Sequence, residues 1–155
     1  DVMLLRLQDD VPSDVALPVR LASRQLPQQP TPLRVMGWGR TAYQGRTSRV
    51  LQEVEVDLVP QEACRHRYGS FVISESMMCA ARDGADACSG DSGGPLLVRG
   101  PSDPLGAGDV QVGIVSFGVG CADERYPGVY TDVAAVLPWI EDKLAEWGVQ
   151  LPCRR

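Results

Sequence analysis

Glycine and proline interrupt this chain so often that little room is left for long helices. Its 155 residues include sixteen glycines and twelve prolines but only two phenylalanines. This composition is typical of short strands joined by turns and does not suit a helical bundle. The proline-rich residues 8–34 show no hydrophobic periodicity, so we predict an extended connection there. The length suits one domain with a core and is too short for two ordinary domains.

Hydrophobic periodicity predicts where the regular elements lie. Residues 53–58 alternate polar and apolar side chains, which indicates a half-buried strand. Residues 136–147 carry apolar side chains at helical spacing and precede Gly148, which predicts a C-terminal amphipathic helix. Pro60 can begin a short helix that reaches Cys64. The remaining predicted elements are strands at 35–39, 76–80, 94–98, 110–117 and 128–133, the end of an apolar strand at 1–7, an exposed loop at 40–49 and a hairpin excursion at 99–109. About six short strands and one closing helix indicate an all-β antiparallel barrel.

Charge and residue counts exclude several functional classes. A net charge of −5 argues against a nucleic-acid-binding face. No apolar stretch approaches the roughly 18 residues that cross a bilayer, so no membrane span is expected. A single histidine, His66, rules out a multi-histidine metal site, and we expect no metal and no other cofactor. Five cysteines without a CxxC pair favour disulfides in an oxidising, secreted environment and leave one cysteine without an internal partner.

The segment with the most chemical content is residues 86–95, Asp-Ala-Cys-Ser-Gly-Asp-Ser-Gly-Gly-Pro. Ser92 is flanked by glycines, which permit tight or positive-φ backbone conformations and can present several N–H groups together. A serine on such a turn can attack a carbonyl while nearby amides stabilise the oxyanion that forms. The alternative is an ordinary Gly/Ser/Asp-rich hairpin turn, which is common in β proteins.

Several segments, in order along the chain, resemble the chymotrypsin/trypsin-like serine endopeptidases. Residues 90–95 (GDSGGP) resemble the nucleophile segment of that family, and residues 35–39 (VMGWG) resemble the opening strand of its second barrel. Residues 114–118 (IVSFG) resemble its substrate-pairing strand, which implies that Ser116 binds substrate. Residues 127–131 (PGVYT) resemble a later strand, and the Trp139–Ile140 pair matches the terminal helix. The resemblance implies that residues 1–17 end the first barrel, 18–34 connect the barrels, and 35–155 form a six-stranded Greek-key barrel with its C-terminal helix. Most of the first barrel would then precede this sequence.

The resemblance also implies roles for individual residues. Ser92 would be the nucleophile, with the amides of Gly90 and Ser92 as the oxyanion hole. Asp91 would pair with an amino terminus released by zymogen cleavage, the alternative being a turn-capping aspartate. Asp1, at the start of the DVMLLRL segment, would orient a catalytic imidazole, with Ser116 bonded to its carboxylate; the alternative is an accidental acidic terminus.

The general base is not among these residues. In the family the catalytic histidine lies upstream of the triad aspartate, so it would precede Asp1. His66 lies in the segment ACRHRY beside a cysteine, where neither chain order nor motif fits a catalytic role, and we expect it on the surface. A serine without a base is a weak nucleophile, so this chain by itself is expected to be inactive.

Substrate preference is implied by the residues that match the primary pocket. Asp86, six residues before Ser92, would lie at its base and select Arg or Lys through an ion pair, although Asp86 could instead be an ordinary loop residue. Gly118 and Gly128 would leave room for a long side chain. The other implied pocket residues are Ala87 and Ser89 on the wall and rim, and Phe117 as an aromatic platform where most relatives carry tryptophan.

The resemblance implies two disulfides, Cys64–Cys79 and Cys88–Cys121. A third, common in this family, is replaced by Leu33 and Val98, and Cys153 matches no motif. We therefore expect the C-terminal part of a secreted serine endopeptidase that cleaves after Arg or Lys. Its partners would be peptide or protein substrates, the N-terminal half of the same protein and protein inhibitors. The alternative is a catalytically inactive homologue that acts as a binding or scaffold protein.

Overall fold

A computed structural model describes residues 1–100 and 108–149 of the chain. In chain order its elements are β1 (Arg20–Leu21), β2 (Pro32–Gly37), β3 (Gln52–Val59), α1 (Gln61–Tyr68), β4 (Met77–Ala81), β5 (Pro95–Val98), β6 (Val110–Phe117), β7 (Gly128–Asp132) and α2 (Val133–Glu146). Most of the predicted excursion at 99–109 lies outside the described residues, as does Cys153. Neither helix of the described part is long and apolar enough to cross a membrane.

Six of the strands close into an antiparallel barrel. Around the barrel the order is β2, β3, β4, β7, β6, β5 and back to β2. Closure gives each of these strands a hydrogen-bonded neighbour on both sides, which removes exposed sheet edges. The short strand β1 lies outside the closed barrel and runs parallel to the start of β6, with Arg20 opposite Val110. The predicted six-stranded barrel with a C-terminal helix is confirmed.

The barrel interior is filled by apolar side chains that alternate along the strands. Val56 and Leu58 of β3 are buried, as the alternation of residues 53–58 predicted. Leu33 of β2 is buried, and Val98 of β5 packs against the same core. This apolar packing stands where the resemblance implied a missing disulfide. Tyr130 of β7 is the largest fully buried side chain of the described residues.

Helix α1 lies outside the barrel and is fixed to it by a disulfide. Cys64 of α1 and Cys79 of β4 are bonded, with their Cα atoms 6.2 Å apart. Both cysteines are buried in a small cluster with Ile73 and Val129. The short helix predicted to start at residues 60–64 runs from Gln61 to Tyr68, and its last turn lies near the loop before β7.

The structure differs from the predictions at the ends of some elements. Residues 1–7 form no strand, because a strand needs a hydrogen-bonded neighbour and no described segment pairs with them. Helix α2 begins at Val133, three residues earlier than predicted, because the Asp132 side chain caps it by accepting hydrogen bonds from Ala134 N and Ala135 N. Strand β2 likewise begins at Pro32 and not at residue 35, because its first residues pair with β3.

Candidate active site

Ser92 lies at the tip of a tight turn between β4 and β5. Gly90 and Gly93 on either side of it adopt φ angles of 102° and 80°, which side chains other than hydrogen disfavour. The turn is held internally by the bond from Gly94 N to Asp91 O at 2.8 Å. Gly93 N also donates to Val115 O at 2.9 Å, which fixes the turn to β6. The Ser92 side chain is consequently exposed on a rigid support.

Two amides beside Ser92 remain free to donate. Within residues 1–100 and 108–149, neither Gly90 N nor Ser92 N has a hydrogen-bond acceptor, whereas the amides of Asp91, Gly93 and Gly94 are all engaged. Unpaired backbone amides on a glycine-rich turn are donors that an anion can engage. The turn can therefore stabilise negative charge that develops on an oxygen next to Ser92.

A cavity of about 210 Å³ opens beside Ser92 and is lined by most of the predicted pocket residues. Asp86 lies in its wall with Ala87 and Ser89, all on the segment that leads to Ser92. Strands β6 and β7 and the loop between them form the rest of the lining: Val115, Ser116, Phe117, Gly118, Gly120, Gly128, Val129 and Tyr130, with Cys88 on the Asp86 side. The structure thus brings together residues that are far apart in the sequence.

The Asp86 carboxylate is held by backbone amides on both of its oxygens. Ala87 N donates to Oδ1 at 2.8 Å, and Ala122 N donates to Oδ2 at 3.1 Å. The pKa of Asp86 is raised to about 6, chiefly by burial. The two amides act to lower this pKa, and the charge of Asp91 acts to raise it. A half-buried carboxylate of this kind favours a cationic ligand, which would replace the water that the site has lost.

The two glycines of the cavity wall differ in the space around them. A Cβ on Gly128 would lie 2.5 Å from Asp86 Oδ1, so only glycine fits there. A Cβ on Gly118 would have no heavy atom closer than 3.9 Å, so it would extend into free space. Tyr130 also lines this cavity, although the sequence did not predict it. Its hydroxyl is buried and has no hydrogen-bond partner among the described residues. No sequence signal distinguishes it from a core tyrosine.

Asp91 points away from this cavity, towards the end of β2. Its Oδ1 accepts a hydrogen bond from Gly39 N at 2.7 Å, and its Oδ2 accepts one from Cys88 N at 2.9 Å. A second cavity of about 240 Å³ lies there, lined by Asp91, Gly37 and Gly39 among others. The bond to Cys88 matches the turn-capping interpretation, whereas the cavity leaves room for a further group to approach the carboxylate.

Asp1 lies close to β6 and β7. Its Oδ2 accepts a hydrogen bond from Ser116 Oγ at 2.6 Å, and its carbonyl oxygen accepts one from Thr131 Oγ1 at 2.6 Å. Asp1, Ser116 and Ser92 also line one groove of about 900 Å³. The predicted Asp1–Ser116 bond is therefore present, and it places a carboxylate near the nucleophile turn.

His66 lies elsewhere, on α1, with an exposed side chain, and it does not line the cavity beside Ser92. The second predicted disulfide, Cys88–Cys121, is formed, with Cα atoms 5.2 Å apart, and it joins the nucleophile segment to the loop before β7. No group of three or more metal-ligating side chains occurs among residues 1–100 and 108–149.

A closed antiparallel barrel with a glycine-flanked serine on one inter-strand turn, beside a carboxylate-lined cavity, is the arrangement of the chymotrypsin/trypsin-like class. The Trypsin family model matches residues 1–140, and the chain belongs to this family. It is 43% identical over 152 residues to Trypsin of Sarcophaga bullata, covering 94% of this chain and 56% of that protein. It is 40% identical over 147 residues to Trypsin 5G1 of Aedes aegypti, with coverages of 92% and 52%.

The Proclotting enzyme of Tachypleus tridentatus is also similar, at 40% identity over 152 residues, or 93% of this chain and 39% of that protein. The chain therefore spans about half the length, or less, of these curated relatives.

Proposed function

We propose that the complete protein is a serine endopeptidase that cleaves peptide bonds after Arg or Lys, and that this chain supplies its nucleophile and primary pocket. The observation that carries the proposal is that Ser92 and Asp86 line the same cavity. A peptide whose Arg or Lys side chain reaches Asp86 would present the backbone carbonyl carbon of that same residue to Ser92. The substrates would accordingly be peptides or proteins with exposed basic residues.

In the proposed reaction Ser92 Oγ attacks the scissile carbonyl carbon and forms an acyl-enzyme. The C–N bond breaks, the leaving amine takes a proton, and water then releases the acid product. The free amides of Gly90 and Ser92 would stabilise the oxyanion of each tetrahedral intermediate. Neither amide has another hydrogen-bond acceptor among the described residues, which supports this role.

The proton of Ser92 needs a base, which we place on a histidine N-terminal to Asp1 in the complete protein. The Asp1 carboxylate, already bonded to Ser116 Oγ at 2.6 Å, would hold that imidazole in the productive tautomer. The exposed position of His66 on α1 supports its exclusion from this role. The N-terminal half of the protein is thus a proposed partner of this chain.

The primary pocket is proposed to select a cation at the end of a long side chain. Asp86 would pair with a guanidinium or ammonium group, and Gly118 and Gly128 would keep the passage open. Ala87 and Ser89 would contact the same side chain, Ser116 would pair with the substrate backbone, and Phe117, which is partly exposed beside the cavity, would support the preceding substrate residues.

Asp91 is proposed to receive a new amino terminus when a zymogen is cleaved. The cavity of about 240 Å³ beside its carboxylate has the space for a chain end, and an ammonium group there would form a charge-assisted hydrogen bond. We also propose secretion, in keeping with the two disulfides, and regulation by protein inhibitors that bind the same cleft.

Expression of the complete protein tests the function. We expect hydrolysis of Arg and Lys amide substrates, loss of this activity in Ser92→Ala, and an imidazole encoded ahead of Asp1. Preference for Phe substrates would refute the pocket assignment. An inactive complete protein with another residue in place of that histidine would instead support the scaffold alternative.

A further inference from the structure

Helix α1 contacts the wall of the Asp86 cavity through side chains that the proposed reaction does not use. We call residues 118–127, between β6 and β7, the pocket loop. Arg67, in the last turn of α1, donates from Nη1 to the carbonyl oxygens of both Glu124 and Arg125, each at 3.0 Å. Its neighbour Tyr68 donates from its hydroxyl to Pro127 O at 2.7 Å. One turn of helix thereby engages three carbonyls of the loop.

The pocket loop in turn contacts Asp86, which lines the cavity. Ala122 N donates to Asp86 Oδ2 at 3.1 Å. Ala122 makes this contact with a φ of 54°, in the left-handed region that residues with a side chain rarely adopt. A residue in this region keeps its conformation only when its surroundings hold it there. The position of the amide that supports Asp86 therefore depends on what fixes the loop on either side.

Arg67 is suited to fixing the loop because its guanidinium is permanently charged and presents several donors in one plane. Hydrogen bonds from such a group to neutral carbonyls are stronger than those between neutral partners. The two accepting carbonyls lie two and three residues after Ala122. Helix α1 itself is fixed, since Cys64 is bonded to Cys79 in the buried cluster beneath it.

We propose that Arg67 is a positioning residue for the primary pocket: it holds the pocket loop so that the Ala122 amide supports the Asp86 carboxylate in its ionised form. This inference rests on the proposed function, because it takes Asp86 as the group that binds the basic side chain of the substrate. Arg67 does not line the cavity and acts through Ala122.

The positioning role of Arg67 and the loss of its charge predict opposite changes in affinity for a cationic ligand. Removal of the positive charge of Arg67 alone would slightly favour a cationic ligand in the pocket. Loss of its hold on the loop would instead weaken the Ala122–Asp86 bond. The groups that shift the pKa of the Asp86 carboxyl are the Ala87 and Ala122 amides, Asp91 and the burial around it. The hydroxyls of Tyr68 and Tyr130 also interact electrostatically with it. Of these, Arg67→Met should disturb the Ala122 amide. Because that amide lowers the pKa of Asp86, its displacement should raise this pKa.

The test is binding of benzamidine, a small aromatic amidinium, to the complete protein by calorimetry between pH 5 and pH 8. In Arg67→Met we expect affinity at pH 7 to fall about tenfold, the order of one charge-assisted hydrogen bond. We also expect the pH midpoint of binding to rise above that of the wild type. Arg67→Lys, which keeps a charged donor, is expected to lie between the two. For an Arg ester substrate, KM should rise more than kcat falls.

Arg65→Met is the matched control, because Arg65 is on the same helix but donates to Ile73 O and Glu75, away from the pocket loop. It removes the same charge and should leave both affinity and pH midpoint unchanged, even if the melting temperature falls. Equal losses in Arg65→Met and Arg67→Met, or wild-type binding by Arg67→Met, would overturn the positioning role alone. A wild-type protein with no affinity for benzamidine would refute the pocket assignment and the role of Arg67 with it.

Discussion

At the scale of single residues, the proposed binding role of Asp86 predicts that ligand affinity depends on pH near neutrality. Its carboxyl has a pKa of about 6 because burial disfavours the charge more than the Ala87 and Ala122 amides favour it. A cation binds the ionised form, so we expect benzamidine affinity to be constant well above pH 6. Below pH 6 affinity should fall by about tenfold per pH unit, as protonation removes the charge.

Calorimetric titration of the complete protein across this range measures the effect. Asp86→Asn is the control, because it keeps the size of the side chain without its charge, and it should bind weakly at every pH. A wild-type affinity that stays flat from pH 7 to pH 5 would contradict the assignment of Asp86 to the base of the pocket.

Gly128 and Gly118 should respond differently to the same added methyl group. In Gly128→Ala the Cβ would meet Asp86 Oδ1 at 2.5 Å, so the carboxylate or the strand must move. We expect a destabilisation of about 1–3 kcal/mol, typical of overpacking, together with loss of benzamidine binding. In Gly118→Ala the methyl has free space, so the melting temperature should not change while binding of a long side chain weakens.

Thermal unfolding and benzamidine titration of both variants separate these effects. Wild-type stability and affinity in Gly128→Ala would show that the cavity wall can shift to accept a methyl group. A destabilised Gly118→Ala protein would show that the space beside Gly118 is not free.

Which residues lie together at the site can be predicted from the sequence where one motif holds them, and not where only contacts in the fold join them. Asp86 and Ser92 lie within one segment, so their pattern can be recognised in the sequence. The contribution of Ala122 to the Asp86 carboxylate joins residues 36 apart, and that of Arg67 to the pocket loop joins residues 57 and 58 apart. Neither residue type has a propensity that points to its role, because both act through geometry that only the folded barrel creates.

At the scale of elements, the start of α2 depends on one carboxylate. Asp132 accepts from Ala134 N and Ala135 N, and its other oxygen accepts from Gln25 Nε2 at 3.0 Å. Asp132→Ala removes all three acceptor contacts, and we expect a loss of about 1–2 kcal/mol in the free energy of unfolding. Asp132→Asn keeps an acceptor for the helix amides, and it removes the charge of a carboxyl whose pKa is raised by burial. We therefore expect Asp132→Asn to lose less free energy of unfolding than Asp132→Ala.

Urea denaturation of the two variants of the complete protein measures the difference. Equal losses would show that the charge, and not the capping oxygen, is what α2 needs. No loss in Asp132→Ala would show that packing of Leu137 and Ile140 alone fixes the helix.

Element predictions succeeded where periodicity is tied to burial. Strand β6 has the predicted bounds. Strand β3 differs by one residue at each end, because its alternation follows the barrel interior. Residues 1–7 form an apolar run that was predicted to end a strand of the first barrel; they have no partner strand among the described residues, so that part of the prediction stays untested. The short strand β1 could not be foreseen, because its two residues gain strand geometry only from β6.

At the scale of the whole molecule, the N-terminal segment presents two faces. Val2 and Leu4 are half-buried, and residues 1–5 line the groove of about 900 Å³ together with Ser92. At the alternate positions Met3, Leu5 and Leu7 are 74%, 72% and 62% exposed. A row of large apolar side chains on one face is the mark of an interaction surface. We propose that the N-terminal half of the protein covers it.

This proposal predicts opposite effects of the same change in two forms of the protein. Replacing both Leu5 and Leu7 by Gln should reduce binding of a hydrophobic dye to the 155-residue chain, because it removes exposed apolar surface. In the complete protein the same double change should lower the free energy of unfolding by about 2–5 kcal/mol, since two covered leucines are lost. Dye fluorescence and urea denaturation measure the two effects.

Phe71→Gln is the control, because Phe71 is fully exposed, at 105%, in the turn after α1. If exposure in the chain reflects exposure in the complete protein, this change leaves the stability of both forms unaltered. If Leu5 and Leu7 behave like Phe71 in the complete protein, their face stays open to solvent there. The Asp1 carboxylate would then stand at an uncovered surface, where water competes for the imidazole that it is proposed to orient. The position of Asp1 beside Ser116 and the covering of the leucine face are therefore linked, because one short segment carries both.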